Sequence, residues 1–228
     1  FGTGAGGFVG ATLTEVGDGA VAIGGPMTAW QAWAADGTSA GPQFLPEARA
    51  FHAAVALDDM RVLLAGGCSQ VVTETRVCAP GSELRTSSIL DIASGEITRG
   101  PRLLSDRIGG QAYLDVDGSV LVVGGFDAAG VPVASGERLE LGADDAVEVP
   151  NLAGAASGQM LSGAVVVGLG TGSAPGGEVR TIGAGGSQGV DQLASDARGG
   201  ATVTATDDGQ LLVVGGGAGV GRFRPFAA

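Results

Sequence analysis

The feature that most constrains this chain is a cadence repeated five times: an alternating or small-residue run, a turn, a short aliphatic run, then a glycine pair. It occurs as FVGATLTEVGDGAVAIGGP (8–26), FHAAVALDDMRVLLAGGC (51–68), IGGQAYLDVDGSVLVVGGF (108–126), ASGQMLSGAVVVGLGTG (156–172) and GGATVTATDDGQLLVVGGG (199–217). Measured from the first glycine of each pair (Gly24, Gly66, Gly124, Gly168, Gly215), the spacings are 42, 58, 44 and 47. A period of roughly 40–50 residues marks an array of supersecondary units, each burying its apolar face against its neighbours. The fourth copy is degenerate, with Gly-Leu-Gly in place of the pair.

Each copy predicts two strands. Runs such as VLVVGG and LLVVGG are continuous and apolar, as strands buried on both faces should be. Asp18-Gly19, Asp117-Gly118 and Asp208-Gly209 are placed to make type I′ hairpin turns, where Gly supplies positive φ; Asp58-Asp59 and Ser162-Gly163 occupy the matching place in the other copies. The glycine pairs would let backbones approach closely near a crowded axis. EARAFHAAVAL (47–57) is Ala-rich and reads locally as helix, but its alignment with the other copies assigns it to a strand. Long helices are disfavoured throughout by 44 Gly and 9 Pro among 228 residues, since Gly costs about 1 kcal/mol relative to Ala in a helix. Disorder is disfavoured by 44% hydrophobic against 16% charged residues.

Downstream of each cadence lie two further candidate strands. SSILDIASGEITRGPRLL (87–104) shows a strand, a turn at Ser94-Gly95, a second short strand and a Pro-containing exit. GERLELGADDAVEVPNL (136–152) repeats it, and AWAADGTSAGPQFLPEA (32–48) and GGEVRTIGAGGSQGVDQL (176–193) do so more loosely.

On the diglycine after an aliphatic strand, the Asp-Gly hairpin before it and the downstream ILDIASGEITRGPRL, the chain resembles the kelch-repeat family, including its bacterial galactose-oxidase-like members. The tyrosine after the glycine pair and the tryptophan of the fourth strand are missing; Ile97 stands at the latter place. The resemblance implies an all-β fold, a β-propeller of about five four-stranded blades in one domain spanning 1–228. Its units run approximately 8–48, 49–101, 102–150, 151–195 and 196–228. The last unit lacks a fourth strand, so the five units either close a ring or form a stretch of a longer one. Copper-radical oxidases on this scaffold need two Tyr and two His around the metal. Tyr113 and His52 are the only ones here, which excludes that activity by count.

Net charge is −12, from 24 acidic residues and 12 basic ones, all Arg. That balance argues against nucleic acid, whose phosphates such a surface repels. No apolar run approaches the roughly 20 residues that span a bilayer. Cys68 and Cys78, ten apart between strand-like runs, suit a disulfide pinning a long loop, hence an oxidising, extracytoplasmic setting, the alternative being two free, buried thiols in a cytosolic protein. The Arg-only, Gly/Ala-rich vocabulary with one Asn looks like that of a GC-rich bacterial genome. No metal site and no cofactor are expected: zinc needs four ligands, and His52 is remote from the cysteines in sequence. GTGAGG (2–7) fits G-x-G-x-x-G without a preceding strand or following helix. DVDGS (115–119) starts like a calcium loop but has Ser at its fifth position and Phe126 at its twelfth. No catalytic residue is assigned. His52 lies in an apolar run and reads as packed, and Asp58/Asp59, Asp144/Asp145 and Asp207/Asp208 read as turn formers.

Two groups remain as candidate binding residues. Arg49, Arg107 and Arg198 each precede the first glycine of their own pair by 17 residues, so they occupy equivalent positions ahead of the first strand. On a propeller that position faces one channel mouth, where converging guanidiniums would capture an acidic ligand or partner segment; salt bridging between blades is the plainer role. Trp30 and Trp33 are the only tryptophans and follow the first glycine pair in a loop, placed to anchor a partner, stack on a sugar or fill a blade edge. The expected function is a non-catalytic extracytoplasmic binding or scaffold module for protein–protein interaction, with a carbohydrate-binding or carbohydrate-active module as the alternative.

Overall fold

The computed structural model describes residues 9–26, 28–39, 41–72, 74–75 and 77–152, together with six strands between 155 and 217. Among these residues the protein is all β, with no helix. Strands β1 (Thr12–Val16), β2 (Gly19–Ile23), β3 (Ala29–Trp33) and β4 (Gln43–Phe44) form an antiparallel meander. Next come β5 (Ala53–Ala56) and β6 (Arg61–Ala65), then a small separate hairpin of β7 (Val71–Val72) and β8 (Val77–Cys78). The chain then returns as β9 (Ser87–Asp91) and β10 (Ile97–Arg99) to complete the second sheet in the order β10-β9-β6-β5. A third meander holds β11 (Gln111–Leu114), β12 (Val120–Val123), β13 (Gly136–Leu139) and β14 (Val147–Val149). The fourth holds β15 (Ala155–Leu161), β16 (Ala164–Thr171), β17 (Ala174–Gly183) and β18 (Gln188–Gln192). Strands β19 (Gly199–Ala205) and β20 (Leu211–Gly217) make a two-stranded fifth sheet. Each sheet thus falls inside one unit of the sequence repeat, and the Ala-rich 53–56 run is strand.

The sheets stack through their first strands: β1 contacts β5, β5 contacts β11, β11 contacts β15 and β15 contacts β19. The core is therefore layered between consecutive sheets. Val21, Ile23, Trp30, Val62, Leu64 and Leu90 fill the first layer, and Leu63, Ala65, Val120, Val122 and Leu139 the second. Leu121, Val123, Leu152 and Ile182 form a third. Second strands contribute to two layers at once, so their aliphatic runs are buried on both faces; no residue of Val62–Ala65 or Val120–Val123 is more than 1% exposed.

The glycine pairs explain themselves at the junctions. Gly24, Gly25, Gly66, Gly67, Gly124 and Gly125 all have positive φ, between 65° and 84°. The second glycine N–H donates to the next unit's backbone: Gly25 to the Arg49 carbonyl at 2.9 Å, and Gly67 to the Arg107 carbonyl at 2.8 Å. The first glycine sits so close to that same carbonyl that a Cβ on Gly66 would stand 2.5 Å from the Arg107 oxygen, and one on Gly24 would collide with that of Arg49. Two requirements coincide there, a left-handed backbone and no side chain, and only Gly meets both.

The predicted type I′ turns are corrected. Val16 pairs with Gly19, so the first hairpin turns on Gly17-Asp18, and only Gly17 has positive φ (57°). That is the type II′ pattern. Gly19 is needed instead because a Cβ would strike the Trp33 carbonyl on the adjacent strand. In the third unit a three-residue loop, Val116-Asp117-Gly118, puts only Gly118 at positive φ (82°), closed by Asp115 N–H donating to the Ser119 carbonyl at 2.8 Å. Ser162-Gly163 and Asp208-Gly209 lie outside the described residues.

The long second spacing has a local cause. Between β6 and β9 the chain makes an excursion that carries the β7–β8 hairpin, and a Cys68–Cys78 disulfide with Cα atoms 5.8 Å apart closes it. No described helix is long and apolar enough to cross a membrane.

Candidate functional site

Arg49 and Arg107 occupy equivalent places, as their common offset implies, but neither faces solvent. They are 2% and 1% exposed. Arg49 Nη1 donates to the Gly66 carbonyl at 2.7 Å and the Thr86 carbonyl at 2.9 Å, and Nη2 to Thr86 Oγ1 at 2.8 Å and Glu47 Oε2 at 2.9 Å. Arg107 Nη1 donates to the Gly124 carbonyl, and Nη2 to the Ser135 carbonyl and Glu137 Oε1, both at 2.9 Å. The expectation of guanidiniums gripping a ligand at a channel mouth is corrected for these two. Each fork ties the end of the second strand to the start of the third within its own unit, leaving no face for a carboxylate ligand. The carboxylates they meet, Glu47 and Glu137, belong to this chain. Arg198 lies outside the described residues.

His52 is buried, its Nε2 2.9 Å from Thr12 Oγ1 across the first junction. Burial, aided by the nearby Arg49 charge, pushes its pKa down to about 3. It is therefore neutral and packed at neutral pH. Tyr113 is half-buried on β11.

The two tryptophans separate by role. Both lie on β3 rather than in a loop, and three positions apart on a strand means opposite faces. Trp30 is 6% exposed and packs in the first core layer, with its ring reaching the β9–β10 turn at Gly95. Trp33 is half-buried near the hairpin end of the sheet. Both line a cleft of about 1050 Å³ between the first two sheets. Its walls come from turns: Gly17-Asp18 of the β1–β2 hairpin, Asp59-Met60 of the β5–β6 hairpin, Ser94-Gly95 of the β9–β10 turn, and Thr38-Ser39 after β3. No basic residue lines it.

The rim carboxylates do unequal work. Asp58 accepts from the Met60 and Arg61 N–H groups at 2.9 and 2.8 Å and from Arg61 Nε at 2.7 Å. Those donors, the Met60 amide first, hold its pKa below the ordinary carboxylate value. Asp117 in the third unit likewise accepts from Ser119 N and Oγ, and its pKa is lowered chiefly by that hydroxyl. Asp18 and Asp59, both exposed, make no such bonds among the described residues and lie among the residues lining the cleft.

One buried network escaped sequence reasoning. Arg138 Nη1 donates to Asp115 Oδ2 at 2.7 Å and Ser119 Oγ at 2.6 Å, and Nη2 reaches the Gly183 carbonyl of the fourth sheet at 3.3 Å. Asp115, the first residue of DVDGS, is thus an ion-pair partner rather than a calcium ligand. The alternation of GERLE, with charges at 137 and 138 amid apolar neighbours, was the available signal. No group of three or more His, Cys, Asp or Glu that could hold a metal occurs among the described residues.

No family model matches the sequence, and no curated protein matches it. The solved structure of YjhT is similar in fold, with a TM-score of 0.63 over 91% of this chain and 76% of that one, at 10% sequence identity. Altogether 254 chains of solved structures match. A fold shared so widely fixes architecture and leaves function to the site.

Proposed function

We propose that this chain is a non-catalytic extracytoplasmic binding module, a kelch-like β-propeller of about five blades that receives a protein partner in the cleft between its first two sheets. The cleft carries the reading. Its volume, about 1050 Å³, is slightly above the roughly 300–1,000 Å³ usual for binding pockets. It is lined by the two tryptophans, a residue type enriched at the centres of interfaces. Its walls are short hairpin turns on sheets tied together by Arg49 and the Gly24-Gly25 junction, so it is held in shape before any partner arrives. Support for a non-catalytic role comes from His52, which is buried and neutral. Support for an oxidising compartment comes from the Cys68–Cys78 bridge.

Hydroxyl and amide groups of Thr38, Ser39, Gln43 and Ser94 beside the indoles also suit a saccharide, the second reading. One experiment separates the two: affinity capture from an extracytoplasmic extract alongside a glycan array, each with wild type and Trp33→Ala. A protein retained by wild type and released by the variant supports the first reading. A glycan signal abolished by the variant would replace it with the second.

A further inference from the structure

We infer that His52 is an acid-sensitive latch on the cleft: protonation of its buried imidazole frees the first sheet from the second, so that a partner held at neutral pH is released in acid. The inference rests on the proposed binding role and names how that site is regulated. It gives a task to a buried titratable group that binding itself leaves unused.

The geometry of the first junction carries it. His52 precedes β5, at the opposite end of that strand from the β5–β6 turn that walls the cleft. Its Nε2 lies 2.9 Å from Thr12 Oγ1 of β1. The ring also packs on the end of β2, where a Cβ on Gly24 would stand 2.7 Å from its Cε1. Its Nδ1 is buried without a hydrogen-bond partner among the described residues. A neutral imidazole carries one N–H, which the Thr12 hydroxyl can accept, whereas an imidazolium carries two. The second N–H would be buried and unpaired on a ring that has become positive.

Nothing packed against the ring compensates that charge. The charge bearing on it is that of Arg49, a second cation, and Glu47 is bound to Arg49. Thr12, Gly24 and Gly67, which pack against His52, bring none. Undocking the first sheet hydrates the ring and removes both penalties, so binding a proton favours separation. The sheets joined here are the ones that the cleft already parts at their hairpin ends. Their separation therefore widens the cleft. Backbone bonds across the same junction, Gly25 N–H to the Arg49 carbonyl at 2.9 Å and Phe51 N–H to the Gly10 carbonyl at 2.6 Å, break as it opens.

Native-state hydrogen exchange of the intact protein reads the latch without any partner. The Gly25 and Phe51 amides report the junction, and those of β12, buried on both faces, report global unfolding. Between pH 6.5 and 5, after correction for intrinsic exchange, protection of Gly25 and Phe51 should fall about fifteenfold, from a folded value of about 3 against an unfolded one near 6.5. The β12 amides should stay far better protected at both pH values. His52→Gln, which can keep a bond to Thr12, should flatten the fall. An unchanged wild type, an equal fall in His52→Gln, or β12 protection dropping to the level of the junction amides would each overturn the inference. Should His52→Gln fail to fold by circular dichroism, the size of the wild-type fall and the β12 comparison decide alone. Because no ligand is used, a negative result leaves the binding role of the cleft standing, whereas a cleft that binds nothing fails in the capture experiment.

Discussion

The Arg49 guanidinium reaches seventeen residues along its own chain to the carbonyl of Gly66, at 2.7 Å, while the Arg49 carbonyl accepts from Gly25 of the preceding unit, at 2.9 Å. Its backbone therefore joins one sheet to the last and its side chain locks the sheet it begins. Arg107 repeats both bonds, with Gly124 and Gly67. The repeat period and the arginine offset are two views of this one junction.

Because Glu137 is 1% exposed and pairs with Arg107, while Glu47 is half exposed and pairs with Arg49, the two arginines should differ in cost. Arg107→Met strands a buried carboxylate and should lower stability by about 3–5 kcal/mol. Arg49→Met leaves two carbonyls short of donors and should cost about 1–3 kcal/mol. Urea midpoints of the two variants decide it. Adding Glu137→Gln to Arg107→Met should recover part of the loss; equal, negligible effects would show that neither arginine is a structural tie.

Gly66→Ala and Gly118→Ala share one conformational penalty, since φ is 67° and 82°, worth about 1–2 kcal/mol for an L side chain. Only Gly66 also meets a carbonyl at 2.5 Å; at Gly118 nothing lies within 4 Å. Gly66→Ala should therefore destabilise markedly more than Gly118→Ala in thermal melts. Matching melting points would mean the diglycine serves φ alone.

The Cys68–Cys78 bridge closes a loop of sequence separation 10. Chain entropy for a loop of that size corresponds to about 2.5–3 kcal/mol. Cys68→Ser/Cys78→Ser should lose about that much by urea denaturation, without a change in far-ultraviolet dichroism. Thiol titration of the unreduced wild type should find no free thiol; two titratable thiols would remove the bridge from the account.

With a folded-state pKa of about 3 and an unfolded value near 6.5, His52 binds its proton more readily when the chain is unfolded. Its contribution is complete above pH 6.5 and declines as pH falls toward 3, by at most about 1.4 kcal/mol per pH unit. Asp58 and Asp117, whose pKa values are lowered, also lose stabilisation below about pH 4, so the clean window is pH 5–6.5. Stability measured there should fall with acidification in wild type and stay flatter in His52→Gln, which can keep a hydrogen bond to Thr12. Parallel curves would show that His52 is not buried as a neutral group.

The order of strands was legible because its signals are local. The aliphatic runs, the diglycines and the turn at Ser94-Gly95 each impose a backbone state through a few adjacent residues. Turn type was less so. The Asp-Gly dipeptides invite type I′, but Gly19 is claimed by the Trp33 carbonyl on the neighbouring strand, and the turn moves back one residue. Trp30 and Trp33 were visible as a pair. Their division into a core residue and a half-buried one follows from strand period, which becomes usable once 29–33 is known to be β3.

The sequence alone determined the repeat, the all-β class, the disulfide partners and the equivalence of Arg49 with Arg107, since all of these depend on residue type at fixed separation. Tertiary structure decided what the equivalent residues do. A guanidinium's direction depends on which carbonyls, here Gly66 with Thr86 and Gly124 with Ser135, are brought within 3 Å. Likewise, only the packing of two sheets sets the turns of Asp18 and Asp59 side by side, because nothing in the 41 residues from one to the other records how the sheets will face.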